Sequence, residues 1–217
     1  MARVRSTNVA VPKPEPAGQQ YLTGIDKRPV PHLAVFAPAG GYGHGSGVDG
    51  DHVGDSAHHG GREKAVYLFA REELDFWERD LGRTLADGTF GENLTTEGID
   101  LERLRLNQRL RVGEQVVLEV SVPRSPCRTF QEHLGVGGWV KRFAAHGRCG
   151  IYTRVVMPGT IAAGDPIELV GTPGHDIDMI TAFASAMGDN DAAARVVAAE
   201  CLPAMYHERL VRRLAAR

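Results

Sequence analysis

The segment Ser121-Val122-Pro123-Arg124-Ser125-Pro126-Cys127 constrains the fold more than any other, because its two prolines fix where a long alternating run must stop. That run, Gln115 to Val122, reads as a β-strand, and proline lacks the N–H that would continue a ladder. The connection after it is therefore stiff, and it carries Arg124 and Cys127 close together. A guanidinium beside a thiol favours the thiolate, the form that ligates a soft metal or carries sulfur. The competing reading is an inert, buried cysteine, the commoner fate of an intracellular thiol.

A chain of 217 residues with 42% hydrophobic content is long enough for one substantial core and a small appendage. Its formal net charge of -2 implies neither a nucleic-acid partner nor an anionic membrane surface. The 3 cysteines are unevenly spaced and make neither a disulfide framework nor a CxxC zinc site, which fits a reducing compartment. With no signal-peptide core and no apolar run of membrane-spanning length, a cytoplasmic protein is expected.

Along the chain, residues 1–20 carry Pro12, Pro14 and Pro16 with few large apolar groups and read as an extended N-terminal arm. Residues 21–171 offer short strands divided by glycine-rich turns: Leu33 to Phe36, Ala65 to Leu68, Gln115 to Val122, Ile151 to Val156 and Pro166 to Val170. Such a pattern predicts a mainly β domain with helices, folded as a barrel or curled sheet. Two helices are expected within it, Arg71 to Leu81 and Trp139 to Ala145, with Trp77 as a core residue. Residues 172–217 read as three short helices: one capped by Asp176, one starting at Asn190 or Asp191, one at Pro203. They are too small to hold a core alone and need the β domain or a second subunit of a homo-oligomer to pack on.

Several further segments recur in a recognisable order: Thr23-Gly24-Ile25-Asp26-Lys27-Arg28-Pro29-Val30, His59-Gly60-Gly61 with Lys64-Ala65-Val66-Tyr67, and Phe90-Gly91-Glu92-Asn93-Leu94-Thr95. They continue with Pro123 to Cys127, Gly147-Arg148-Cys149-Gly150-Ile151-Tyr152-Thr153-Arg154-Val155-Val156, and Gly164-Asp165. Together they resemble the MOSC domain family, named for the C-terminal part of molybdenum-cofactor sulfurases, and within it the stand-alone YiiM-like branch. The resemblance implies a MOSC-type β-barrel followed by a small three-helix C-terminal appendage. Three departures stand out. Asn107-Gln108 replaces a usual Gly-Asp pair, residues 40–47 form an elongated glycine-rich loop, and Cys149 stands where a small hydroxyl residue is common.

The resemblance also implies a molybdenum cofactor, a pterin dithiolene with a phosphate, which needs anion binders, amide-type partners and one soft ligand. On that reading Cys127 ligates the metal, while Lys27, Arg28, Arg124, Arg148 and Arg154 hold phosphate and pterin. Asn93 and the backbone of Gly91 read the pterin edge, and His59 or Tyr152 donates a proton. The implied reaction is reduction of N-hydroxylated compounds such as 6-N-hydroxylaminopurine, with electrons from a partner redox protein. Two alternatives are a sulfur carrier using a Cys127 persulfide and a cofactor-binding module without turnover. Pyridoxal phosphate is not expected, because the larger sulfurases bind it in a separate domain for which this chain has no room. His44, His52, His58 and His59 with Asp49, Asp51 and Asp55 supply zinc-type ligand atoms, but their glycine-broken spacing suits a loop better than a metal site. His59 is expected to order that loop by hydrogen bonding, its glycines permitting close backbone approach.

Overall fold

The computed structural model describes residues 1–216, so Arg217, the end of the expected C-terminal segment, lies outside the described residues. The strands are β1 Arg3–Ala10, β2 Lys13–Pro14, β3 Leu22–Thr23, β4 Lys27–Val30, β5 His32–Val35, β6 Val66–Ala70, β7 Leu94–Glu97, β8 Arg109–Val112, β9 Val116–Pro123, β10 Ile151–Met157, β11 Gly159–Ala162 and β12 Ile167–Val170. The helices are α1 Arg71–Leu81, α2 Arg128–Leu134, α3 Trp139–His146, α4 Met179–Ala186, α5 Asn190–Ala198 and α6 Ala204–Ala215.

Eight strands form one mixed sheet in the order β12-β8-β9-β10-β6-β7-β1-β4. Only β6 and β7 run parallel, which requires a crossover, and α1 provides it. β6 is buried at every position because strands flank it on both edges and its all-apolar sequence Val66-Tyr67-Leu68-Phe69-Ala70 is covered on both faces. The fold is mainly β with helices, as expected, but the barrel expectation is corrected: no ladder joins the edge strands β4 and β12. The reason lies in β1. Its C-terminal half, Thr7 to Ala10, pairs with β4, while its start meets the turn before β12 through Val4 N–H to the Asp165 carbonyl at 2.9 Å and Ile167 N–H to the Ala2 carbonyl at 3.0 Å. The sheet therefore curls onto itself without closing.

The expected N-terminal arm is a second correction, since residues 3–10 form β1 inside the sheet, between β7 and β4. Ser6, Thr7 and Asn8 are buried there, with the Asn8 amide donating to the Glu92 carbonyl and the Thr95 hydroxyl. Satisfied small polar side chains let a strand be buried without the apolar alternation that would announce it. Beyond it, β2 and β3 pair as a small hairpin.

Helices α1, α2 and α3 meet over an aromatic cluster. Trp77 and Trp139 cross edge to face at 4.5 Å between centroids, and Phe130 and Phe143 each lie 5.3 Å or 5.6 Å from Trp139. Trp77 is a core residue, 1% exposed. The C-terminal helices pack on the sheet of their own chain, α4 against β9. Asp178 rather than Asp176 caps α4, accepting the Thr181 N–H, and Asp189 caps α5, accepting from Asp191 and Ala192. At the altered turn, Asn107 adopts φ 62, a left-handed conformation that asparagine tolerates better than most residues.

Candidate functional site

Where β9 stops at Pro123, the chain turns into a cleft of about 720 Å³, counting its solvent-open mouth. Its walls come from five places: the end of β9 with α2, the adjacent strands β6 and β10, the Phe90 to Asn93 loop, the chain from Tyr21 to Lys27, and the glycine- and histidine-rich loop before β6. Arg124 is 4% exposed, and its guanidinium lies 3.8 Å above the Phe130 ring. Among the described residues it has no carboxylate partner, and its Nη1 has no hydrogen-bond acceptor. A buried cation in that state costs several kcal/mol unless an anion joins it. Cys127 is half-buried in the same cleft as a free thiol, whereas Cys149 and Cys201 are buried away from it.

Lys27 and Asp51 form the cleft floor, with Nζ at 2.5 Å and 2.7 Å from the two carboxylate oxygens. Asp51 also accepts from the Asn93 amide at 2.9 Å, the Ser46 hydroxyl at 3.1 Å and the Ala10 N–H at 2.9 Å. Burial alone would raise the Asp51 pKa, but Lys27 and these donors outweigh it and hold the carboxyl below its ordinary value. Burial holds the Lys27 ammonium below its ordinary value, opposed by Asp51. Asn93 also accepts the Tyr67 N–H through Oδ1, so its side chain braces the floor on both sides.

His59 and Tyr152 line the walls. Burial, with Lys64 and Arg124 nearby, pushes the His59 pKa down to about 3, and burial pushes the Tyr152 phenol up to about 12. Neither group changes charge near neutral pH. The His59 loop is ordered through its backbone, since the Asp55 carbonyl accepts both the His58 and His59 N–H. Gly61 has φ 82, and a Cβ there would sit 2.2 Å from the Gly41 carbonyl oxygen, so only glycine lets the elongated loop close on this motif.

Seven of the ten residues expected at the site line this cleft: Lys27, His59, Gly91, Asn93, Arg124, Cys127 and Tyr152. Arg28, Arg148 and Arg154 do not. Arg28 is exposed and paired with Asp26, while Arg154 reaches Glu63 at 2.8 Å and Glu119 at 3.0 Å. Arg148 is held by Glu73, by Asp100 at 2.6 Å and by Glu102 at 3.4 Å. The zinc-type ligands also separate: Asp51 serves Lys27, His52 contacts the Leu22 carbonyl, and His58 pairs with Asp55. Among the described residues no group of three or more such side chains could hold a metal ion.

Sequence reasoning missed Asp51, whose partners lie far from it along the chain. It also missed Lys64, which lines the cleft, and Glu92, which does not line it but anchors one of its loops, although both stand in quoted motifs. Glu92 is fully buried and accepts from Gly88 N–H at 2.6 Å, Phe90 N–H at 3.0 Å and the Thr95 hydroxyl at 2.9 Å, which fixes the Phe90 to Asn93 loop. Burial wins over those donors and raises its pKa to about 7. A raised acid stabilises the fold below its unfolded pKa, and that contribution fades as pH rises through about 7. Glu92→Gln should therefore remove a loss on the order of 3 kcal/mol between about pH 4.5 and 7.5, read as a flatter dependence of chemical unfolding on pH. An unchanged profile would show that Glu92 stays ionised in the folded protein.

A free thiol and a buried guanidinium with no carboxylate partner among the described residues line one cleft, at the end of a strand in a curled mixed sheet, an arrangement that can hold an anionic group beside a soft ligand. The MOSC domain model matches residues 55–168, and the chain belongs to that family. It is 34% identical over 168 residues to the uncharacterized protein YflK of Bacillus subtilis, covering 77% of this chain and 72% of that one. It is 31% identical over 127 residues to the protein YiiM of Escherichia coli, covering 57% and 56%. A protein named Reductase from Gibberella moniliformis is 35% identical over 131 residues, which is 59% of this chain and 23% of that protein. The crystal structure of YiiM from Geobacillus stearothermophilus superposes with a TM-score of 0.77 at 26% identity, covering 99% of this chain and 100% of that one. Among the described residues no helix is long and apolar enough to cross a membrane.

Proposed function

We propose that this protein binds a molybdenum cofactor in the cleft, with Cys127 as ligand to the metal, and reduces N-hydroxylated compounds of the 6-N-hydroxylaminopurine type to amines. The observation that carries the reading is the Arg124 guanidinium, buried with no carboxylate partner among the described residues, in the same cleft as the Cys127 thiol. When bound, the cofactor supplies two-electron redox chemistry at its metal. The chain supplies the rest. Arg124 binds the cofactor's anionic groups, and Gly91, at φ 83, lets its backbone approach the pterin. The floor of Lys27, Asp51 and Asn93 keeps the cleft shaped, while His59 and Tyr152 limit access of water. Electrons come from a separate redox protein. The Reductase relative, of which the matched segment is only 23%, supports both the reaction class and a need for sequence beyond this domain.

Arg124→Ala should weaken cofactor binding about 10- to 100-fold, because a charge-assisted contact in a desolvated site contributes about 1.5–3 kcal/mol. Titration of the cofactor-free protein measures it. Arg148→Ala should instead lower stability and leave that affinity nearly unchanged, since its guanidinium neutralises Glu73, Asp100 and Glu102 outside the cleft. A larger affinity loss in Arg148→Ala would place the anion site elsewhere.

The reaction itself is tested with loaded protein, a chemical reductant and a hydroxylaminopurine, the amine product being followed by chromatography. Steady amine formation supports the reductase. A metal-free protein that accepts one sulfur on Cys127 from a cysteine desulfurase and passes it on, with no amine formed by the loaded form, would favour the sulfur carrier.

A further inference from the structure

We propose that Lys64 is the proton donor of the cleft, its ammonium delivering a proton to the oxygen that leaves an N-hydroxylated substrate, and that helix α6 holds it in that role. The inference rests on the reductase reading and names a residue within it. Lys64 ends the short turn Arg62–Lys64 that leads into β6, and it lines the cleft together with Arg124 and Cys127. Its Nζ donates to the His58 carbonyl at 2.7 Å and, among the described residues, has no carboxylate within ion-pair distance. Three tyrosine rings surround it instead, with centroids at 5.5 Å for Tyr42, 5.5 Å for Tyr152 and 5.7 Å for Tyr206.

These rings arrive from three elements: the elongated glycine-rich loop, β10 and α6. Tyr42 and Tyr206 meet edge to face at 6.3 Å, so the loop and the C-terminal helix join beside Lys64. Arg209, one turn along α6 from Tyr206, lies 5.8 Å from both of those rings. The charged and titratable groups around Lys64 are then Arg209 from α6, Arg124 from the end of β9, Asp55, His58 and His59 from the preceding loop, and the three tyrosines. Glu63, its neighbour, is committed to Arg154 and the Ser121 hydroxyl. Rings stabilise an ammonium less than a carboxylate would, and the two arginines oppose its charge.

Burial, then Arg209 and Arg124, lower the Lys64 pKa to about 8, with Asp55 opposing. Lys64 is thus protonated at neutral pH yet able to release its proton, between the extremes set by His59 and Tyr152. In the reaction, the substrate N–O bond breaks, two electrons from the partner redox protein reduce the nitrogen to the amine, and the oxygen leaves as water. One of the two protons consumed comes from Lys64 and the other from solvent, and solvent then reprotonates the lysine amine.

Competitive acetylation of the cofactor-free full-length protein across pH 6–11, read by mass spectrometry, tests the acidity directly, with exposed Lys141 as internal reference. Lys64 should half-react near pH 8, giving a neutral fraction there on the order of 100-fold above that of a lysine at the ordinary value. Arg209→Met should move that midpoint upward and leave Lys141 unmoved. In loaded protein, Lys64→Arg keeps a cation but not a releasable proton, and should lower kcat by about 100-fold or more with KM and cofactor content little changed. Lys64 titrating at the ordinary lysine value, or Lys64→Arg retaining wild-type kcat, would overturn the proposal. If loaded wild-type protein forms no amine, the reductase reading has failed and the donor role with it; if it forms amine without Lys64, only the donor assignment has failed.

Discussion

Cys127→Ser should leave a folded protein that retains no molybdenum and forms no amine, while Cys201→Ser behaves as wild type in both measurements. In the proposed function the thiol is the soft ligand of the cleft, and a neutral alcohol, a far weaker acid than a thiol, does not replace a thiolate. Position separates the three cysteines. Cys127 lies half-buried among the cleft residues, whereas Cys201 sits buried between α5 and α6, and burial drives its thiol pKa up to about 11. Cys149 is buried as well, its Sγ beside the Gly150 carbonyl, and burial holds its thiol strongly protonated. Elemental analysis and turnover of the purified variants decide the matter. Equal metal and equal activity in wild type, Cys127→Ser and Cys201→Ser would remove Cys127 from the site.

Lys27→Met should cost about 3–5 kcal/mol at pH 7.5, because it strands a buried carboxylate that has lost its counter-charge. The side chains of Lys27 and Asp51 are only 7% and 4% exposed, so water cannot take the place of the missing ammonium. The sign of the pH dependence follows. In wild type the Asp51 pKa is depressed, so its contribution is present above the unfolded value and is lost only as pH falls through the folded one. In Lys27→Met burial acts unopposed by a cation and the Asp51 pKa rises. The gap between the two proteins should therefore narrow as pH falls toward 4, where Asp51 is neutral in the variant. Urea unfolding at pH 7.5 and pH 4.5 reads both values, and adding Asp51→Asn should recover part of the loss at the higher pH. A deficit below about 1 kcal/mol at pH 7.5 would mean that the pair behaves as a surface ion pair.

The strand that ends at Pro123 was legible because alternation and proline are local signals, and so was the presence of Arg124 and Cys127 on the connection after it, where both line the cleft. Helices α1 and α3 were legible from apolar spacing, but α2 was not: its core residues Phe130 and Leu134 are a single i,i+4 pair, too few for a period. β1 was hidden because it buries Ser6, Thr7 and Asn8: the Ser6 hydroxyl donates to Asn8 within the strand, while Thr7 and Asn8 are satisfied by partners distant in the chain. The same non-locality governs the charged groups. Arg124 and Arg148 look alike in sequence, each beside a cysteine motif, yet Arg148 meets three carboxylates, one from α1 and two from residues 100–102, and Arg124 meets none among the described residues. Asp51 read as one more polar residue of a histidine-rich loop, and only the fold brings Lys27 and Asn93 to it.

The central claim is that the cleft holds molybdenum on Cys127 with its anionic part on Arg124. Elemental analysis of wild-type protein purified from a molybdenum-replete host tests it most directly, with Cys127→Ser and Arg124→Ala purified in parallel. Molybdenum approaching one atom per chain in wild type, absent from Cys127→Ser and depleted in Arg124→Ala, is the predicted result. Folded wild-type protein that carries no molybdenum from such a host, or carries it equally in all three proteins, would contradict the account.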